Sequence, residues 1–143
     1  MAIILLDTTV ASFLSPFKEI TPERQYYRGH ITGNTLALSF QSVAELWKWA
    51  EKNSWGQAKR NQLEQFIKRF VIIPYDNRLA QMWAHLSVQC EKQGKSLGSG
   101  DCWIAATAVA HGISLLAHDR HFVEIKISGL TVISYYNQTI STS

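Results

Sequence analysis

Residues Gly98–Phe122 read GSGDCWIAATAVAHGISLLAHDRHF, and their reading decides the fold. Asp101 opens a helical pattern in which Ile104, Ala105, Ala108 and Val109 share one face. Gly112 closes it, at the place where helices often stop in a left-handed residue. Ile113-Ser114-Leu115-Leu116-Ala117 then predicts a short buried strand, and His118-Asp119-Arg120-His121-Phe122 follows at once. The small residues Ala105, Ala106 and Ala108 let such a helix lie close against a sheet. The unit is therefore helix then strand, with one carboxylate where the helix begins and another where the strand ends.

The rest of the chain repeats that alternation. Residues 2–6 are continuously apolar, the pattern of a central strand buried on both faces, and Asp7 ends it. Val10, Phe13 and Leu14 suggest a short helix stopped by Pro16. Thr21-Pro22-Glu23 signals another helix start, fading by Gly29–Gly33. Residues 35–39 read as a second strand, after which Ser39 or Ser42 caps a helix carrying Val43, Leu46 and Trp47. Gly56 begins a further helix with Leu63, Phe66, Ile67 and Phe70 on its apolar face. Residues 71–75 read as a third strand, and Pro74, which cannot donate a ladder hydrogen bond, argues for a sheet edge or a strand end. Asp76 caps a long helix bearing Leu79, Met82, Trp83, Leu86 and Cys90, and a glycine-rich loop spans 93–100. Residues 130–135 make a last strand, and the polar tail 137–143 is expected to fray. Residues 1–136 thus form a single α/β domain, with helices on both faces of a mainly parallel sheet of about five strands.

Bulk properties narrow the class. The 143-residue chain is 46% hydrophobic and carries a formal net charge of +3, and the sequence pI is about 9.0; a mildly basic balance favours a polyanionic partner. No apolar run reaches the ~18 residues of a membrane span. The start turns acidic at Asp7, too early for a signal peptide. Cys90 and Cys102 sit within apolar helical patterns and read as buried thiols, so a cytoplasmic location is expected.

The carboxylates carry the chemistry. Asp7 follows the first strand, Glu45 lies just past the second, Asp101 starts the helix feeding the fourth, and Asp119 follows the fourth. In a parallel sheet these points share the edge where ligands bind. Each also has a plain structural reading. Asp7, Asp101 and Asp119 can be helix caps worth roughly 1 kcal/mol each, and Ser42–Glu45 fits a capping box. Asp76 is the control: it follows an edge strand and is read as a cap alone. Four carboxylates gathered together repel one another and raise each other's pKa, so the cluster calls for a cation. Ligands that are all oxygen favour Mg²⁺ or Mn²⁺. His111, His118 and His121 are not expected to be ligands. Such a site is the equipment for attack of water on a phosphodiester.

With these acids placed, the sequence resembles a PIN-domain ribonuclease of the VapC toxin type. Leu5-Leu6-Asp7-Thr8-Thr9-Val10 is similar to that family's opening block, Ser42–Leu46 to its S-x-x-E-L segment, Asp101–Ala108 to its D-x-x-I-A-A-x-A block, and Leu115–Phe122 to its last acidic block. Thr9 stands in place of the usual Asn or Ser, and Ala117 in place of a common Thr. The resemblance implies a three-layer α/β/α sandwich and an acidic pocket holding Mg²⁺ or Mn²⁺. It also implies endonucleolytic cleavage of RNA by the toxin of a toxin–antitoxin pair. By position, Asp7, Glu45, Asp101 and Asp119 carry over as metal-binding acids. A homodimer bound to an antitoxin segment is implied as well, with a basic antitoxin side chain entering the acidic pocket.

The expected arrangement has Asp7 and Asp101 on the main ion, with Glu45 and Asp119 completing the cage. Thr8, Thr9 or Ser42 would orient water or phosphate, or serve equally as caps; Arg120 would clamp phosphate; Lys48 and Lys52 read first as a solvated helix face, with a basic rim as the alternative. Trp49 and Trp55 fall off the apolar face defined by Trp47 and are candidates for an interface. The competing reading is a catalytically silent PIN-like module that only binds RNA or protein.

Overall fold

The computed structural model describes residues 2–136. Five strands, β1 (Ile3–Leu6), β2 (Thr35–Ser39), β3 (Val71–Ile73), β4 (Ser114–Leu116) and β5 (Val132–Ile133), form one sheet. Their order is β3-β2-β1-β4-β5, and every pairing is parallel. β1 is central, as its continuous apolar run requires; β3 is an edge strand that stops at Ile73, so Pro74 lies just past the strand end rather than within it. The helices are α1 (Thr8–Leu14), α2 (Pro22–Ile31), α3 (Phe40–Lys52), α4 (Gln57–Ile67), α5 (Asn77–Lys92), α6 (Ser99–His111) and α7 (Arg120–Glu124).

Alternation along the strands divides the core in two. Leu5, Ala37, Ile73 and Leu115 face one side, where they meet Leu79 and Leu86 of α5 and Ile104, Ala105 and Ala108 of α6. Ile4, Leu6, Leu38 and Leu116 face the other, against Val10 of α1, Tyr27 of α2, Leu46 of α3 and Leu63 and Phe66 of α4. The result is the three-layer α/β/α sandwich expected from the sequence. Cys90 and Cys102 are free and buried, as their apolar neighbours suggest. Among the described residues no helix is long and apolar enough to cross a membrane.

α2 ends at Ile31, within the expected fade between Gly29 and Gly33. Other boundaries differ from the sequence reading. The last strand shrinks from the expected 130–135 to Val132–Ile133, the only two residues registered with β4. α6 begins at Ser99 with Gly98 as its cap, so Asp101 lies inside the first turn and caps nothing. Gly112 does end that helix, at φ 62°. Asp76 caps α5 by accepting from the Leu79 amide, as expected of the control acid. The polar tail from Asn137 lies outside the described residues.

One buried phenol stitches the sheet to the second layer. Tyr27 is fully buried; its hydroxyl lies 3.1 Å from the Ala117 carbonyl and 2.8 Å from His118 Nδ1, and it accepts from the Tyr135 amide at 3.0 Å. One proton must serve two of these partners. If it goes to the Ala117 carbonyl, the imidazole carries its hydrogen on Nδ1 and all three contacts are satisfied. Helix α2 thereby holds the chain just beyond both β4 and β5.

Candidate active site

All four predicted acids lie around the carboxyl edge of the sheet, each fixed by a different element. Asp7 is the junction of β1 and α1. Its Oδ1 accepts from the Val10 amide at 2.7 Å and so caps α1, while Oδ2 accepts from the His118 amide, beyond β4, at 3.0 Å. The carboxylate is only 3% exposed. Burial dominates its ionisation and pushes the pKa up to about 7; the two amides oppose this, and the charges of Asp101 and Asp119 add to it.

Asp101 stands in the first turn of α6. Its pKa is pushed up to about 6, first by burial, then by the charge of Asp119 and a hydrogen bond between the two side chains, and then by Glu45; His121 pulls the other way. Asp119 caps α7, its Oδ1 accepting from the His121 amide at 2.8 Å, and the same oxygen lies 3.0 Å from His121 Nδ1.

Glu45 is held by side chains alone. The Thr8 hydroxyl lies 3.1 Å from its Oε1 and 3.0 Å from Ser42 Oγ, and Gln41 Nε2 donates to its Oε2 at 3.1 Å. The Tyr75 hydroxyl donates to Gln41 Oε1 at 3.2 Å, so an aromatic residue from the end of β3 steadies the glutamate through one intermediary. The capping box expected at Ser42–Glu45 does not form. Ser39 takes the cap by accepting from the Ser42 amide, which leaves Glu45 beyond the first turn and turned toward Thr8.

The other candidates divide. Ser42 is fully buried and belongs to the Ser39–Ser42–Thr8 hydroxyl chain. Thr9 is exposed and borders a cavity beside Glu45. Arg120 extends over the ring of Tyr136, 4.7 Å from its centroid. Lys48 and Lys52 line a second cavity with Glu45 and Asp101. A larger cavity of about 720 Å³, near Phe122 and Leu130, touches none of the four acids, so volume does not mark the site.

Sequence reasoning missed three contributors. Gln41 and Tyr75 carry no signal, because their role depends on a neighbour across the fold. In sequence Gly100 has the look of a loop glycine. A Cβ there would stand 2.9 Å from Gln41 Nε2 and 3.2 Å from Glu45 Oε2, so its lack of a side chain lets α6 approach α3.

The donor set is all carboxylate oxygen, and Asp7 is buried with no cation paired to it among the described residues, which is the chemistry of a hard divalent ion site. As the side chains stand, no three His, Cys, Asp or Glu among the described residues are close enough together to enclose an ion. The charges of Asp7, Asp101 and Asp119 nevertheless act on one another across one space.

Comparison with known proteins agrees with this frame. The family model described as PIN domain matches residues 4–127. The chain belongs to the PIN domain family. It is 27% identical over 122 residues to ribonuclease VapC2 of Haemophilus influenzae, an alignment that covers 85% of this chain and 90% of that one. Among solved structures, VapBC2 from Rickettsia felis bound to a promoter DNA fragment matches with a TM-score of 0.77 at 22% identity, covering 92% of this PIN domain chain and 98% of that one. VapBC-5 of Mycobacterium tuberculosis, described as a member of the VapBC family of toxin-antitoxin systems, gives 0.69 at 22% identity, covering 94% and 99%. At these identities the structures establish the shared fold of this PIN domain.

Proposed function

We propose that this PIN domain is a Mg²⁺- or Mn²⁺-dependent endoribonuclease and acts as the toxin of a toxin–antitoxin pair. One observation carries the reading: a buried carboxylate at the end of the central strand, Asp7, feels the charges of Asp101 and Asp119 from two other elements at the same sheet edge. The relationship to a ribonuclease over most of both chains supports the choice of RNA.

Asp7, Asp101, Glu45 and Asp119 would hold the ion. When bound, it would supply Lewis-acid stabilisation of the charge growing on the attacked phosphate and would lower the pKa of the attacking water. The protein's own part is positional. The Val10 and His118 amides fix both oxygens of Asp7, and Thr8 and Gln41 fix both oxygens of Glu45. The exposed guanidinium of Arg120, next to Asp119, is placed to leave Tyr136 and clamp a phosphate. Before an ion binds, the acids repel RNA, so substrate binding and ion binding are coupled.

An antitoxin segment with a basic side chain would neutralise the same acids and so inhibit; two copies of the toxin are expected in such an assembly. RNA-end sequencing after expression of wild type beside Asp7→Asn tests the reading. New ends should appear with wild type and vanish with the variant, and chelator should abolish cleavage by purified protein. Equal cleavage by Asp7→Asn would refute the proposal.

A further inference from the structure

Trp49 borders two cavities that both reach Glu45. One, of about 260 Å³, lies between α1 and α3, with Thr9, Ser12 and Lys18 on its walls. The other, of about 570 Å³, runs past Lys48 and Lys52 toward Asp101. Trp49 also packs against the core on this face of the sheet. Phe17 meets the indole edge-on and Trp55 lies tilted against it, with centroids 5.9 and 4.8 Å away, and the ring remains partly buried. Lys18 Nζ lies 5.2 Å from the ring, and Lys48 and Lys52 are exposed on adjacent turns of α3. None of the three lysines has a carboxylate partner among the described residues.

An aromatic wall, hydroxyls at its side and cations without carboxylate partners at its mouths are the parts that bind single-stranded nucleic acid. The ring stacks a base whatever its identity, and the cations take the phosphates. Continuity with Glu45 sets the place of that base along the strand. Resting on the ribonuclease reading above, we propose that the α1–α3 cavity is a nucleobase subsite: a base of single-stranded RNA flanking the cleaved phosphate stacks on Trp49. Thr9 and Ser12 face the edge of that base, and Lys48 and Lys52 carry the backbone away on the other side.

The test uses the full chain carrying Asp7→Asn, so that bound RNA survives, with Mg²⁺ and a labelled ten-nucleotide single-stranded RNA followed by fluorescence anisotropy. Adding Trp49→Leu should weaken binding about ten-fold or more, and Trp49→Phe should restore part of the loss. One abasic position in the RNA should cost the parent a similar factor and cost the leucine variant nothing. Replacing Lys48 and Lys52 together by Gln should flatten the salt dependence, lowering the log–log slope by about 1.4.

Equal affinity of the leucine variant and its parent, an abasic penalty that survives Trp49→Leu, or no RNA binding by the parent would overturn the subsite. So would a leucine variant that binds RNA normally but no longer binds a protein inhibitor. Should Trp49→Leu melt below the assay temperature, the phenylalanine variant and the lysine pair decide: an abasic penalty as large in Trp49→Phe as in the parent, together with an unchanged salt slope, overturns it. Failure of the ribonuclease reading looks different: wild type binds the RNA through Trp49 and leaves it uncut.

Discussion

Neutralising Asp7 should flatten the pH dependence of folding stability. In the folded, ion-free protein this carboxyl keeps its proton up to about pH 7, because burial outweighs its two amide bonds; the unperturbed group titrates at 3.8. Between those values the folded state binds more protons than the unfolded state, so stability falls as pH rises and levels off above about 7. A tenfold displacement of the equilibrium is worth about 1.4 kcal/mol, so the ionised carboxylate costs about 4 kcal/mol at high pH, of which rather more than half appears between pH 5 and pH 8. Urea unfolding in chelator at those two pH values measures it. Wild type should lose at least that much and Asp7→Asn markedly less; Asp101, pushed up to about 6, adds a loss that both proteins share and that cancels in the comparison. The asparagine leaves one amide facing an NH₂ group and so carries its own cost of about 1–3 kcal/mol. That cost is present at both pH values and leaves the difference intact. Saturating Mg²⁺ should return stability to wild type at pH 8, about 2.7 kcal/mol at a hundred times Kd, and nothing comparable to the variant. A pH difference of the same size in both proteins would refute the account of Asp7 as a buried, cation-seeking charge.

Three further outcomes follow from contacts around the site. Thr8→Val removes the hydroxyl between Glu45 and Ser42; cleavage should fall at least ten-fold while the fold loses only about 1 kcal/mol, read by single-turnover kinetics and urea midpoints. Gly100→Ala should keep or slightly raise stability, since a helical glycine costs roughly 0.5–1 kcal/mol relative to alanine. It should lower cleavage all the same, because the new methyl displaces the Gln41 amide from Glu45. Tyr27→Phe strands the Ala117 carbonyl and the Tyr135 amide in a buried place and should cost about 1–3 kcal/mol in thermal or urea unfolding.

What was legible followed from local pattern. A continuous apolar run from Ile3 to Leu6 marked the central strand, and an acid after each of two inner strands marked the working edge, because parallel strands end together. Pro74 marked where the third strand stops. What was hidden depended on partners remote in sequence. The misread box at Ser42–Glu45 is a case of two serines three residues apart, either of which can start a helix; Ser39 wins because the strand delivers the chain there. Gly100 looked like any loop glycine, since the side chain it must avoid sits on another helix. Tyr27 looked like one more amphipathic helix residue, because its partners lie about ninety residues downstream. The final strand was overread because apolar alternation from Leu130 to Tyr135 does not reveal where a neighbouring strand stops.

The two amides on Asp7 bear on how inactive cousins of this protein are to be recognised. A copy that has abandoned cleavage still needs an acceptor there to start α1 and to tether the chain beyond β4. Aspartate or asparagine should therefore persist at that position long after the chemistry has gone. Glu45, fastened by no backbone group, is free to drift once nothing selects for it. Its loss, rather than that of Asp7, should be the earlier mark of a retired nuclease.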